Sequence, residues 1–271
     1  MNPGPSRARR TSNARLPFRA GGLREGGFTL IELLIVMGII AILLVMIAPA
    51  FTTLKSGGDV TSAANTIKGV LDQARTYAMA NNTYTWVGFY EENVSTPSTN
   101  PPTPGIGRIV MSIVASNDGT MIYDPNSPAK ITTTKLVQVG KLTKIENVHL
   151  ASFTDTPLDT GSTFATRPNV TPISTYRIGS TTPPNSRTPF QYPVGSPEPG
   201  AQYTFVKAVQ FSSKGEGRVD NNTDYTLQTA AEIGVVPTHG TTVANANPNL
   251  VPNRVAIQFT GAGGDVKIYR Q

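Results

Sequence analysis

The residue that makes the strongest chemical demand on its surroundings is Glu32. It stands five positions after Gly27 in REGGFTLIELLIVMGIIAILLVMIAPAF, residues 24–51. From Leu33 to Ala50 no side chain can carry a charge, and these 18 residues reach the length of a helix that crosses hydrocarbon. An ionised carboxylate near the centre of such a helix costs about 3 kcal/mol, and less toward an end, so an acid placed there has a partner or a task.

Other chemistry is sparse. His149 and His239 are the two histidines, and no Gly-x-Ser-x-Gly, His-Glu-x-x-His or Gly-x-x-x-x-Gly-Lys-Ser/Thr pattern occurs, so an enzyme is not expected and no cofactor is implied. The chain has no cysteine, which excludes disulfides, thiolate metal sites and a thiol nucleophile. Asp220, Asn222 and Asp224 show the alternating oxygen ligands that open a calcium loop, a weak metal candidate. Position six of that loop is Tyr225 instead of glycine and position twelve is Ala231, which favours a plain polar turn.

Charge is concentrated at one end. Residues 1–27 carry six arginines against the single acid Glu25, while the remainder has 17 basic and 16 acidic residues. The net charge of +6 therefore describes a basic leader, and the near-neutral remainder gives no electrostatic case for nucleic acid. A basic leader beside an apolar helix predicts a cytoplasmic N-terminus with the rest carried across the membrane. Roughly 220 residues follow the apolar run, enough for one folded head with its own core.

Pro49 lacks the donor a helix interior needs and predicts a kink or local melting near residues 45–49; Gly57 and Gly58 form a second weak point, after which Asp59 can cap a new start. From Val60, apolar residues recur at three- and four-residue steps (Ala63, Ala64, Ile67, Val70, Leu71, Ala74, Ala78), an amphipathic continuation ending near Asn81 and Asn82. Alternating or apolar runs at 83–90, 107–115, 135–139, 147–153, 203–212, 254–260 and 265–270 predict strands, the last two joined as a hairpin by Gly261-Ala262-Gly263-Gly264. The predicted fold is α+β: a long N-terminal helix (28–50 in the membrane, 51–82 amphipathic) packed on an antiparallel, β-rich head at 83–271. Two Pro/Thr/Ser-rich stretches, 91–105 and 154–202, read as insertions; the second holds nine prolines and is expected to decorate the surface.

Gly27-Phe28-Thr29-Leu30-Ile31-Glu32, preceded by the basic leader and followed by about twenty apolar residues with Pro49, resembles the class III signal of type IV pilins and type II secretion pseudopilins. The resemblance covers residues 22–54. It implies that a prepilin peptidase cuts between Gly27 and Phe28, removing residues 1–27, and that Phe28 is then N-methylated. It also implies that Glu32 pairs with a neighbouring subunit's terminal amine during assembly. The partners it implies are other pilin or pseudopilin subunits, an inner-membrane assembly platform, and membrane lipid before assembly.

A second resemblance joins the head to the minor pseudopilin H and FimT group. It is carried by GVLDQARTYAMANNTYTWVGF, with its Ala74-Arg75 pair, and by AVQFSSKGEGRV and the terminal VAIQFTGAGGDVKIY. The long insertions depart from that group. The implied protein is a non-catalytic subunit of a periplasmic pseudopilus or type IV pilus, single-pass in the bacterial inner membrane with a periplasmic head. Two alternatives stand beside it. Ala48-Pro49-Ala50 imitates a signal peptidase site, so cleavage after Ala50 would release a secreted binding protein, and an uncut chain would be a plain envelope anchor. A DNA-uptake minor pilin would use Lys267 and Arg270.

Overall fold

The computed structural model describes residues 27–121, 131–155, 161–170, 176–179, 189–195, 200–219 and 227–271, with residues 46–54 described by backbone alone. It divides into two compact units, one ending at Ala48 and one spanning Pro49–Gln271. The described part is α+β, with an N-terminal helix and an antiparallel β-rich sheet.

Helix α1 covers Leu30–Ala80. The periodic residues from Val60 to Ala78 are those it buries in the second unit: Val60, Ala63, Ala64, Ile67, Leu71, Ala74 and Ala78 lose all exposure. The interruption expected at Gly57 and Gly58 is absent, because both are helical. Their stretch is backed by the head, where Asn253 Nδ2 donates to Ser56 Oγ at 3.3 Å, and Asp59 is an interior residue instead of a cap. The helix closes as its asparagines suggest. Asn82 takes a left-handed conformation (φ 47°) and Thr83 N–H reaches back to the Ala78 carbonyl at 3.0 Å, which satisfies an orphan acceptor of the last turn.

The strands are β1 (Thr85–Asn93), β2 (Gly107–Ser116), β3 (Leu136–Gln138), β4 (Thr143–Ala151), β5 (Arg177–Ile178), β6 (Phe190–Tyr192), β7 (Tyr203–Phe205), β8 (Lys207–Phe211), β9 (Gly217–Val219), β10 (Ala231–His239), β11 (Thr242–Val243), β12 (Val255–Phe259) and β13 (Val266–Arg270). The main sheet runs β13-β12-β10-β4-β2-β1-β8-β9, and the β12–β13 hairpin forms as expected. One face, with Val87, Phe89, Ile109, Met111 and Ile113, shares a core with α1. The sheet's far ends meet beside Arg75: Gly217 N–H donates to the Gly261 carbonyl at 2.9 Å, and Arg75 reaches both the Gly215 carbonyl (3.4 Å) and Asp265 (3.6 Å).

The opposite face corrects the expectation for the second insertion. Trp86, Val110 and Val114 point away from α1 and are buried under Phe190, Tyr203 and Phe205 of the β6–β7 ribbon. Gly88 has no side chain because a Cβ there would lie 2.5 Å from Phe205 and 2.6 Å from Phe190. Upstream, Phe164, Val170 and Ile178 are also buried, and β5 pairs in parallel with β10. The described parts of 154–202 are therefore built into the fold: β6 joins the layer over Trp86, β5 extends the main sheet, and Val170 and Ile178 enter the core shared with α1. The chain order hides this, since proline restricts these elements to two or three residues each.

Buried ions fix these segments. Glu232, fully buried on β10, accepts from Arg167 Nε (3.0 Å), Arg177 Nε (2.8 Å) and Gln258 Nε2 (2.8 Å), while Arg177 also pairs with Asp155. In the first insertion Glu92 is buried with Arg108 (3.1 Å), the Ser98 hydroxyl (2.6 Å) and the Tyr203 hydroxyl. Burial works against its charge, yet these donors and Lys144 hold its carboxyl below the usual range.

Candidate processing and assembly site

Residues 27–29 are non-helical and exposed, and α1 starts immediately after them. The start is fixed by a reciprocal cap. Glu32 N–H donates to Thr29 Oγ1 at 3.3 Å, and Glu32 Oε2 accepts from both the Thr29 N–H and the Thr29 hydroxyl at 2.9 Å. This is the Thr-x-x-Glu capping box, which satisfies helix N–H groups that have no partner in the preceding turn. Sequence reasoning singled out Glu32 and missed Thr29, although a threonine three residues before an acid at the head of an apolar run is the readable signal.

Gly27 is exposed, and an added Cβ would meet nothing within 4 Å. The fold of this unit thus gives no packing reason for glycine at that position. Phe28 is 85% exposed, and the large apolar residues from Leu30 to Val45 are each exposed by 45% to 80%. Gly38, too, has open space where a side chain would be. A continuous apolar surface around a helix is unfavourable in water and marks a surface meant for lipid or protein. Among the described residues no helix is long and apolar enough to cross a membrane; the apolar sequence continues from Val45 to Ala50 through positions described by backbone alone.

Pro49 lies within the helical backbone of α1, at the first residue of the second unit. Asp220, Asn222 and Asp224 lie outside the described residues. Ala231, which would occupy the last ligand position of a calcium loop there, opens β10 and is buried. Among the described residues no cluster of histidine and carboxylate side chains could hold a metal ion.

Residues 23–48 match the prokaryotic N-terminal methylation motif, the class III signal of type IV pilin-like precursors. The motif belongs to pilin-like structural proteins, which are not enzymes, and implies a membrane-anchored precursor that is processed by prepilin peptidase and assembles with other pilin subunits. No curated protein and no solved structure matches this chain.

Proposed function

We propose that this chain is a minor pseudopilin or pilin-like subunit, stored in the bacterial inner membrane and extracted into a periplasmic pseudopilus or type IV pilus for protein secretion. In this reading the peptidase cuts between Gly27 and Phe28 and Phe28 is N-methylated. Residues 28–50 span the membrane once with the N-terminus cytoplasmic and the head periplasmic, and an inner-membrane platform receives the subunit from lipid. The observation that carries the reading is the exposed, all-round apolar helix start whose single acid, Glu32, is four residues from Phe28.

The absence of a packing reason for Gly27 supports an external one, namely recognition by the processing enzyme. Cleavage places an ammonium one turn before Glu32. A neighbouring subunit's ammonium can then replace the Thr29 donors on the carboxylate, and such a pair in low dielectric sets register because an incomplete pair is costly. Pro49 is the position at which the helix kinks, since it lacks the donor a helix interior needs. The helix end with Ala74-Arg75, the Asn81-Asn82 turn and the strand that follows support placement near the minor pseudopilin H and FimT group.

The test is Glu32→Ala in the producing cell. Processing of the precursor should continue while co-purification with filament components is lost. Normal incorporation of the variant would defeat the assembly role. The secreted and plainly anchored alternatives differ in the mature N-terminus, Phe51 or Met1 instead of Phe28.

A further inference from the structure

The buried carboxylates of the head are not alike. Glu92 holds Arg108, Glu232 holds Arg167 and Arg177, and Asp155 holds Arg177. An arginine stays protonated at any accessible pH, so each of these acids faces a permanent cation. Glu91 faces different cations. Its Oε1 lies 2.7 Å from His149 Nδ1 and accepts from the Leu150 N–H at 2.9 Å, and its Oε2 lies 3.9 Å from Lys207 Nζ. Both histidine and lysine can give up a proton.

Topology brings these groups together. Lys207 is paired with Phe89 at the last β1–β8 rung, and Glu91 lies two residues further along β1 on the same face. Side-chain exposure is 13% for Lys207, 13% for Glu91 and 12% for His149. Burial pushes the Lys207 amine below its ordinary range, against the opposing pull of the Glu91 charge, and its Nζ donates to the Gly179 carbonyl.

We propose that Lys207 and Glu91 form an intramolecular isopeptide bond between β8 and β1, with His149 holding the charge that develops on Oε1. Transfer of a proton within the ion pair gives a neutral amine and a neutral carboxyl. The Lys207 Nζ lone pair attacks Glu91 Cδ, and negative charge on Oε1 is held by the Leu150 N–H and His149. The attacking nitrogen then passes a proton to Oε2, which already carries the proton taken from the amine in the first step; the Cδ–Oε2 bond breaks, Oε2 leaves as water, and Oε1 becomes the amide oxygen. The product is an amide joining residues 91 and 207, and no oxidant or cofactor enters the balance. In a chain without cysteine it supplies the covalent clasp that a disulfide would provide, and its loop encloses the first insertion and the described β6–β7 layer.

The test is peptide mapping and intact mass spectrometry of the full-length protein purified in detergent. The expected result is a chain lighter by one water, with the Glu91 and Lys207 peptides recovered as one branched species that trypsin does not cut at Lys207. Lys207→Arg restores the full mass and slows migration on a denaturing gel, and His149→Phe lowers the branched fraction. Should either variant fail to fold, the wild-type map decides alone. A wild-type chain of full mass, cleaved by trypsin after Lys207, would overturn the proposal.

Discussion

Gly88→Ala tests whether the proline-rich segment is a structural layer. The new Cβ would stand 2.5 Å from Phe205 Cβ and Cγ and 2.6 Å from Phe190 Cζ. Phe205 Cβ is anchored to its own strand and has little freedom to retreat, so the β6–β7 ribbon must shift as a unit. Overpacking of this kind costs about 1–3 kcal/mol. For a denaturant slope of about 2 kcal/mol per molar urea, a 2 kcal/mol loss lowers the unfolding midpoint by about 1 M. The chain contains one tryptophan, Trp86, which is fully buried on the same face beneath that ribbon. Intrinsic fluorescence therefore reads both the midpoint and the lifting of the layer, as a shift of native emission to longer wavelength. Gly69→Ala on the exposed side of α1 is the matched control. An added Cβ there meets nothing within 4 Å, and the helix should gain about 0.5–1 kcal/mol. If Gly88→Ala left both emission and midpoint unchanged, the packing of the β6–β7 ribbon on this face would be wrong.

Glu232→Ala should destabilise the head by about 3–5 kcal/mol in urea melts, because it strands the Arg167 and Arg177 guanidinium groups in the interior; a loss below 1 kcal/mol would mean that those arginines reach water. Asp118 accepts from the Thr120 hydroxyl, the Thr120 N–H and the Ser116 hydroxyl, which pull its carboxyl from 3.8 to about 2. Its folded value lies below its unfolded one, so its contribution is complete above the unfolded value and fades as pH falls from 3.8 toward 2. Asp118→Asn should flatten the stability curve in that window, and an identical acid limb in both proteins would refute this. In the candidate processing site, Thr29→Val removes the hydroxyl that both donates to and accepts from Glu32. Fraying of the first turn should follow, read as faster amide exchange at residues 30–33 in detergent, whereas unchanged exchange would show that the cap is not needed.

What could be read from the sequence follows the strength of local periodicity. The buried stripe of α1 from Val60 to Ala78, the ends of β1 and β2, and the β12–β13 hairpin repeat at clear periods and were legible. Strand β10 was not, although it lies in the middle of the sheet, because Gly234 and Pro237 interrupt AEIGVVPTH. Gly234 is required by the Ala151 carbonyl, 2.0 Å from where a Cβ would stand. Pro237 is tolerated because it lies past Val235, the last residue that β10 pairs with β12. Gly57 and Gly58 misled in the opposite direction: glycine propensity suggests a break, but tertiary contact with the head keeps the helix intact. The β6–β7 layer and the Glu232 cluster depend on contacts between residues far apart in sequence, which no local pattern encodes.

Of the candidate site, Gly27, Phe28 and Glu32 could be proposed because their spacing falls in one short stretch, whereas the Thr29 cap on Glu32 was overlooked despite an equally local pattern. The central claim is that Gly27–Phe28 is the bond cut to mature this chain. The most direct measurement is mass spectrometry of the N-terminal peptide of the protein from its native membrane. The account predicts a peptide that begins at Phe28 and carries one added methyl group on its amine. A peptide beginning at Met1 or at Phe51 would contradict it.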